Sequence, residues 1–166
     1  LGLRTLFLSN NTTSSAADYG AELTALGIPT SADDVVNAAQ VLIAFLQREL
    51  PGGTLHVIGE DALIADLRDA GFVISTRAEE IEAVIASFDR GFTYAKLQLA
   101  FDAIRRGARF FATNADRYRP TAAGGEPDAA AVIAAIEACS GVSCEAIVGK
   151  PSSLTVDYLR GRIGIP

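Results

Sequence analysis

The run Phe7-Leu8-Ser9-Asn10-Asn11 passes from apolar side chains to a hydroxyl and two amides, and Val148-Gly149-Lys150-Pro151-Ser152 passes from apolar side chains to a lysine. A hydroxyl that can donate and a fixed ammonium that can attract are what phosphoryl oxygens require, so the two runs read as two walls of a phosphate pocket. Ser9, Asn10 and Asn11 also precede a helix-forming stretch, and a helix N-terminus offers free N–H groups and partial positive charge to an anion. Each run has a plainer use as well: residues 9–13 can simply cap that helix, and Lys150 can be a solvated turn residue. Lysine is scarce here, Lys96 and Lys150 being the only two, which gives weight to one at a strand end.

The elements that must position these groups follow from apolar spacing. Residues 3–8 predict a buried strand, 10–15 a turn rich in helix-capping side chains, and 16–26 a helix stopped at Gly27. Residues 33–50 carry Val35, Val36, Ala39, Leu42, Ile43 and Leu46 at helical spacing, and Pro51-Gly52-Gly53 ends that helix. Beyond it, β-rich runs at 55–58, 72–74, 83–88 and 109–112 alternate with helical runs at 62–70 and 94–106, the pattern of an α/β protein with a parallel or mixed sheet. A loop at 120–127 precedes an alanine-rich helix at 128–138, a strand at 145–148 and a helix at 153–162. The simplest division inserts a middle lobe, residues 51–121, into an outer lobe built from 1–50 and 122–166. Ser9 and Lys150 then share the outer lobe, both at C-terminal ends of strands, where open α/β sheets bind ligands.

Composition bounds the function. At 166 residues the chain is one domain or two small lobes. A net charge of −6 and a pI near 4.7 argue against a surface that neutralises nucleic-acid phosphates. No apolar run approaches the roughly 20 residues that span a bilayer, and no signal-peptide pattern opens the chain, so the expectation is a cytoplasmic protein without membrane partners. Cys139 and Cys144 lack CxxC spacing and a nearby histidine, and read as ordinary buried thiols. His56 is the only histidine, predicted exposed or half-buried in its strand and without the neighbours a metal would need. Gly59-Glu60-Asp61 follows a strand but lacks GxGxxG spacing, so it reads as a helix cap.

Four runs in order carry a family resemblance: Ser9-Asn10-Asn11, residues 87–97 (SFDRGFTYAKL), residues 111–116 (FATNAD), and Gly149-Lys150-Pro151-Ser152. Together they resemble the haloacid dehalogenase (HAD) superfamily, in its NagD, 4-nitrophenylphosphatase and phosphoglycolate phosphatase branch, over nearly the whole chain. The resemblance implies a Rossmann-like core with a large α/β cap inserted between the second and third catalytic motifs. It makes Ser9 the second-motif residue that hydrogen-bonds the transferring phosphoryl group, with Asn10 and Asn11 beside it as phosphate-binding residues. Lys150 becomes the third-motif lysine that steadies the phosphoryl group and the nucleophile. Residues 113–120 become the cap segment that closes on the leaving group, with Asn114, Asp116, Arg117 and Tyr118 as specificity residues. Asp89 and Tyr94 organise the cap. Arg117 and Arg119 could meet a second anionic group of the substrate or stand in solvent. Two copies are expected to pair through the cap.

The chain departs from the family in lacking the DxDx(T/V) sequence that supplies nucleophile and general acid, and the GDxxxTD sequence that holds magnesium. The expectation is therefore an internal fragment of a magnesium-dependent phosphatase of small phosphomonoesters, working through an aspartyl-phosphate and inactive by itself, with the Mg²⁺ ligands outside the segment. A phosphate or sugar-phosphate binding module without catalysis, and a structural or regulatory α/β domain, are the alternatives.

Overall fold

The computed structural model describes residues 5–164. The strand expected from residue 3 therefore starts outside the described residues, and its described part is β1 (Phe7–Ser9). Helix α1 (Ala16–Ala25) begins at Ser15, whose hydroxyl accepts from the Asp18 N–H while the Asp18 carboxylate accepts from the Ser15 N–H. Such a reciprocal pair satisfies two of the four N–H groups that a helix start leaves without partners.

The single helix expected over 33–50 is three elements. A 3₁₀ turn (Ala32–Asp34) leads into β2 (Val35–Asn37), which pairs in parallel with β1 so that Phe7 faces Val35 and Ser9 faces Asn37. Helix α2 (Ala38–Glu49) starts only at Asn37, whose side chain accepts from the Gln40 N–H. Val35 and Val36 are fully buried beside β1, a pleated setting that suits β-branched side chains. Their positions also match the period of the helix that follows, which hides the break in the sequence.

The main sheet has five parallel strands. Along the chain come β3 (Thr54–Ile58), α3 (Asp61–Asp69), β4 (Val73–Ile74), β5 (Ala83–Ala86), α4 (Tyr94–Arg105) and β6 (Arg109–Ala112). A hairpin of β7 (Tyr118–Thr121) and β8 (Gly124–Pro127) follows, then α5 (Ala129–Ser140), β9 (Ala146–Ile147) and α6 (Ser153–Ile163). The order across the sheet is β4-β3-β5-β6-β9, every pair parallel. Both faces are covered, as a parallel sheet requires. The period-2 alternation of the strands divides the core: Leu55, Val57, Ile85 and Phe111 face α2 and α3, while Val84, Ala86, Phe110 and Ala112 face α4 and α5. Phe45 of α2 meets Phe111 edge-on, with ring centroids 5.1 Å apart.

Two further expectations change. Residues 120–127 are the arms of an antiparallel hairpin, with Tyr118 opposite Pro127 and Thr121 opposite Gly124. Pro120 and Gly125 face each other within it, residue types depleted from strands, so the sequence carries little sign of pairing. The boundary expected at 121 also falls inside a sheet unit. Strand β9 pairs with β6, and α5 packs Val132, Ile133 and Ile136 onto the same face as α4, so residues through 147 are tied to the middle sheet. Among the described residues no helix is long and apolar enough to cross a membrane.

Candidate functional site

Ser9 ends β1, Phe88 follows β5, Asn114 follows β6 and Lys150 follows β9, so the C-terminal edges of the two parallel sheets converge. These four residues line one cavity of about 370 Å³. Open α/β sheets place ligands at this edge because successive loops there can surround a small molecule.

The wall from β1 is a tightly bonded loop. Ser9 Oγ accepts from the Asn11 N–H at 3.1 Å and donates to Tyr19 Oη at 3.3 Å. Asn11 Oδ1 accepts from both the N–H and the hydroxyl of Thr13 at 2.8 Å, an Asx turn that leaves its NH₂ group as a donor. Asn10 turns the other way: its side chain bonds the backbone of Lys150 and the carboxylate of Asp116. Thr12 closes the loop against the main sheet, its hydroxyl 3.0 Å from Ser87 Oγ, which also accepts from Thr113 Oγ1 at 2.9 Å. All three hydroxyls belong to buried residues, so each needs such a partner.

Lys150 is exposed, while the turn that carries it is fixed. The Gly149 N–H donates to Thr113 O at 2.7 Å and Thr155 Oγ1 donates to Val148 O at 2.6 Å. Ser152 then caps α6, accepting from the Leu154 N–H.

The opposite wall is acidic and aromatic. Phe88 presents its ring to the Arg119 guanidinium at 4.5 Å, with Arg90 on the same ring at 5.7 Å. Arg119 Nε donates to Glu126 at 2.6 Å across the hairpin, so its charge is offset where a second substrate anion would need it. Asp128 caps α5, accepting from the Ala129 N–H at 2.6 Å, and burial raises its carboxyl above the ordinary range, with the nearby Asp116 charge adding to the effect. Of the four residues expected to set specificity, Asn114 and Asp116 line the cavity, whereas Arg117 and Tyr118 do not. Tyr118 is 62% exposed on β7, where its ring lies over Gly125.

Tyr19, Thr12, Phe88, Arg119 and Asp128 also line the cavity, and of these only Arg119 was singled out by the sequence. Phe88 stands two residues past a strand and Tyr19 on the first turns of α1, a position rule that applies once the strand ends are known. His56 is buried, its Nε2 3.0 Å from Lys96 O, where the carbonyl requires the ring to donate. Asp89 accepts from Lys96 Nζ at 2.6 Å beside the start of α4. Cys139, expected buried, is exposed, and burial pushes the Cys144 thiol up to about 12. Among the described residues no three His, Cys, Asp or Glu side chains gather as a metal cluster would.

The family of haloacid dehalogenase-like hydrolases matches residues 1–73. Sugar-phosphatase AraL of Bacillus subtilis is 36% identical over 165 residues, 99% of this chain and 61% of that protein. The chain is similar to the haloacid dehalogenase-like hydrolases. Its fold is similar to that of solved phosphatases. A 4-nitrophenylphosphatase from Thermotoga maritima superposes with a TM-score of 0.89 at 30% identity, over 97% of this chain and 61% of that one. A glycerol phosphate phosphatase from Mycobacterium tuberculosis, solved in complex with calcium, gives 0.87 at 30% identity, over 96% of this chain and 48% of that one. The chain thus spans 61% or less of the length of each of these relatives.

Proposed function

We propose that this chain is the phosphate-gripping and cap-bearing part of a phosphomonoester hydrolase that acts on sugar phosphates. The observation that carries the reading is one cavity in which Ser9 and Lys150 meet from ends of the sequence, with an aromatic and acidic wall opposite. Ser9, turning its hydroxyl from Tyr19 Oη, and the Asn11 NH₂ donate to phosphoryl oxygens, and the Lys150 ammonium offsets the charge that develops on them in the transition state. Phe88 offers an apolar face to the carbon skeleton of the leaving group. Asp116 and Asn114 accept from or donate to its hydroxyls, and the acidic surroundings disfavour a leaving group with a second negative charge. The names of AraL and the nitrophenylphosphatase support phosphate esters as the substrate class.

On this proposal the nucleophile lies outside these residues. Asp116 accepts from Asn10 and Asp128 caps α5, so both lining carboxylates have structural partners. On this proposal the phosphoryl group passes to an aspartate outside these residues and then to water, while the unit of residues 54–147 acts as the cap that excludes bulk solvent. Magnesium dependence, a cytoplasmic location and pairing of two copies through the cap belong to the same proposal. The 166-residue chain alone is inactive on this reading.

The test is hydrolysis of sugar phosphates and 4-nitrophenyl phosphate, with magnesium, by the full-length protein containing this segment. Lys150→Ala is expected to lower kcat by about 10²–10³-fold, the usual loss when a transition-state charge partner is removed. Turnover by the isolated segment, or an indifferent Lys150→Ala, sinks the assignment. Phosphate binding by the full-length protein without turnover would make it a binding module.

A further inference from the structure

We propose that Asn10 is not a ligand of the phosphate but a positioning residue, a bracket that holds Lys150 in place and ties it to the loop carrying Asp116. This rests on the reading of the cavity as a phosphatase site. Three bonds leave the one carboxamide: Lys150 N–H donates to Oδ1 at 2.9 Å, and Nδ2 donates to Lys150 O at 2.9 Å and to Asp116 Oδ2 at 3.0 Å. Chemistry dictates which way the amide points. The Lys150 N–H needs an acceptor while the carbonyl and the carboxylate need donors, and only this orientation serves all three.

Two consequences follow. Both Nδ2 hydrogens are committed, so the side chain keeps no donor for a phosphoryl oxygen, and its remaining oxygen lone pair would repel one. The two bonds to Lys150 also grip its backbone on either side of Cα, the pivot from which a flexible four-carbon stem reaches into the cavity. Packing leaves the bracket little slack. Asn10 is 8% exposed, and a Cβ on the adjoining Gly149 would come within 2.7 Å of Asn10 Oδ1 and 2.5 Å of Thr113 O.

The third bond extends the bracket to the opposite wall. Asn114 Oδ1 accepts from the Asp116 N–H at 2.9 Å, and Asn114 Nδ2 reaches Asn10 O at 3.4 Å. The Asp116 loop is thus fastened to Asn10 through both backbone and side chain, so displacement of that loop is passed to the lysine. A misplaced charge weakens transition-state stabilisation more than ground-state binding, so loss of the bracket is expected in kcat.

The experiment uses the full-length protein with ¹⁵N-labelled lysine, a sparse label because Lys96 and Lys150 are the segment's only two. In Asn10→Ala the Lys150 amide is expected to exchange with solvent at least about tenfold faster, as a hydrogen bond is opened. With 4-nitrophenyl phosphate, kcat is expected to fall by roughly 10–100-fold with KM changed less than about threefold. In a Lys150→Ala background, Asn10→Ala is expected to cost less than about twofold, because a residue acting through the lysine has nothing left to position. If the alanine variant fails to fold, Asn10→Asp, nearly isosteric, carries the kcat and KM measurements alone, because its carboxylate still accepts from the Lys150 N–H while losing both Nδ2 donors. Its pairing with Asp116→Asn, which restores a donor and an acceptor between the two side chains, is expected to recover part of the lost kcat.

Unchanged exchange of the Lys150 amide overturns the bracket. So does a raised KM at constant kcat, which would mark Asn10 as a phosphate ligand, or full additivity with Lys150→Ala. If the unaltered protein turns over no phosphate ester, the proposed function falls, and amide exchange still decides the bracket.

Discussion

His56 shows how one side chain can make the stability of this protein depend on pH. Burial lowers its pKa from the usual 6.5, and the Lys96 ammonium adds to this while the hydrogen bond to Lys96 O opposes it. The unfolded chain therefore binds more protons than the folded one between the lowered folded value and 6.5. Stability is complete above 6.5 and declines as pH falls below it. Urea midpoints of the parent protein are expected to drop between about pH 7 and pH 5, and those of His56→Gln to drop less. A parallel decline in both would show that the acid sensitivity lies elsewhere. The neighbouring pair, Lys96 on Asp89, adds a contact whose carboxylate side chain is only 3% exposed, so α4 is anchored by charge at its start.

At the scale of elements, the β7–β8 hairpin supplies Arg119, Pro120 and Thr121 to the cavity lining. Arg119 pairs with Glu126 on the facing strand, and that ion pair spends the arginine's charge within the hairpin. Glu126→Gln leaves the shape and removes the negative partner. The ratio of kcat/KM for phosphoglycolate to that for a sugar phosphate is expected to rise roughly fivefold, matching about 1 kcal/mol for a partly exposed charge pair. No change in that ratio would mean that Arg119 does not face the leaving group. The hairpin was not legible in the sequence because Pro120 and Gly125 face each other within it. β2 was hidden for a different reason: Val35 and Val36 continue the apolar spacing of α2, and only pairing with β1 makes them a strand.

For the whole molecule, the core is continuous where the sequence suggested a lobe boundary. Val36, Leu42 and Phe45, from before the Pro51-Gly52-Gly53 break, pack in one buried cluster with Leu55, Leu63, Phe111 and Val148 from beyond it. Phe111 is fully buried at the centre of that contact. Phe111→Ala is expected to destabilise the protein by about 3–5 kcal/mol, the usual range for a large aromatic in a packed core. Far-UV circular dichroism and exposure of the half-buried Cys144 thiol should then shift to lower denaturant together. Separate transitions would show that α2 and the main sheet unfold independently.

The sequence by itself determined the α/β class, most of the helices, and the two runs that hold Ser9 and Lys150. Those features are local: apolar period, capping residues, and glycine or proline stops act within a few residues. Its four motifs also pointed to the family. Tertiary structure alone decided that Asn10 faces the Lys150 backbone, that Tyr19 and Phe88 join the cavity, and that Arg117 and Tyr118 stand outside it. A hydrogen bond between residues 140 positions apart depends on how strand ends converge, and no local spacing encodes that convergence.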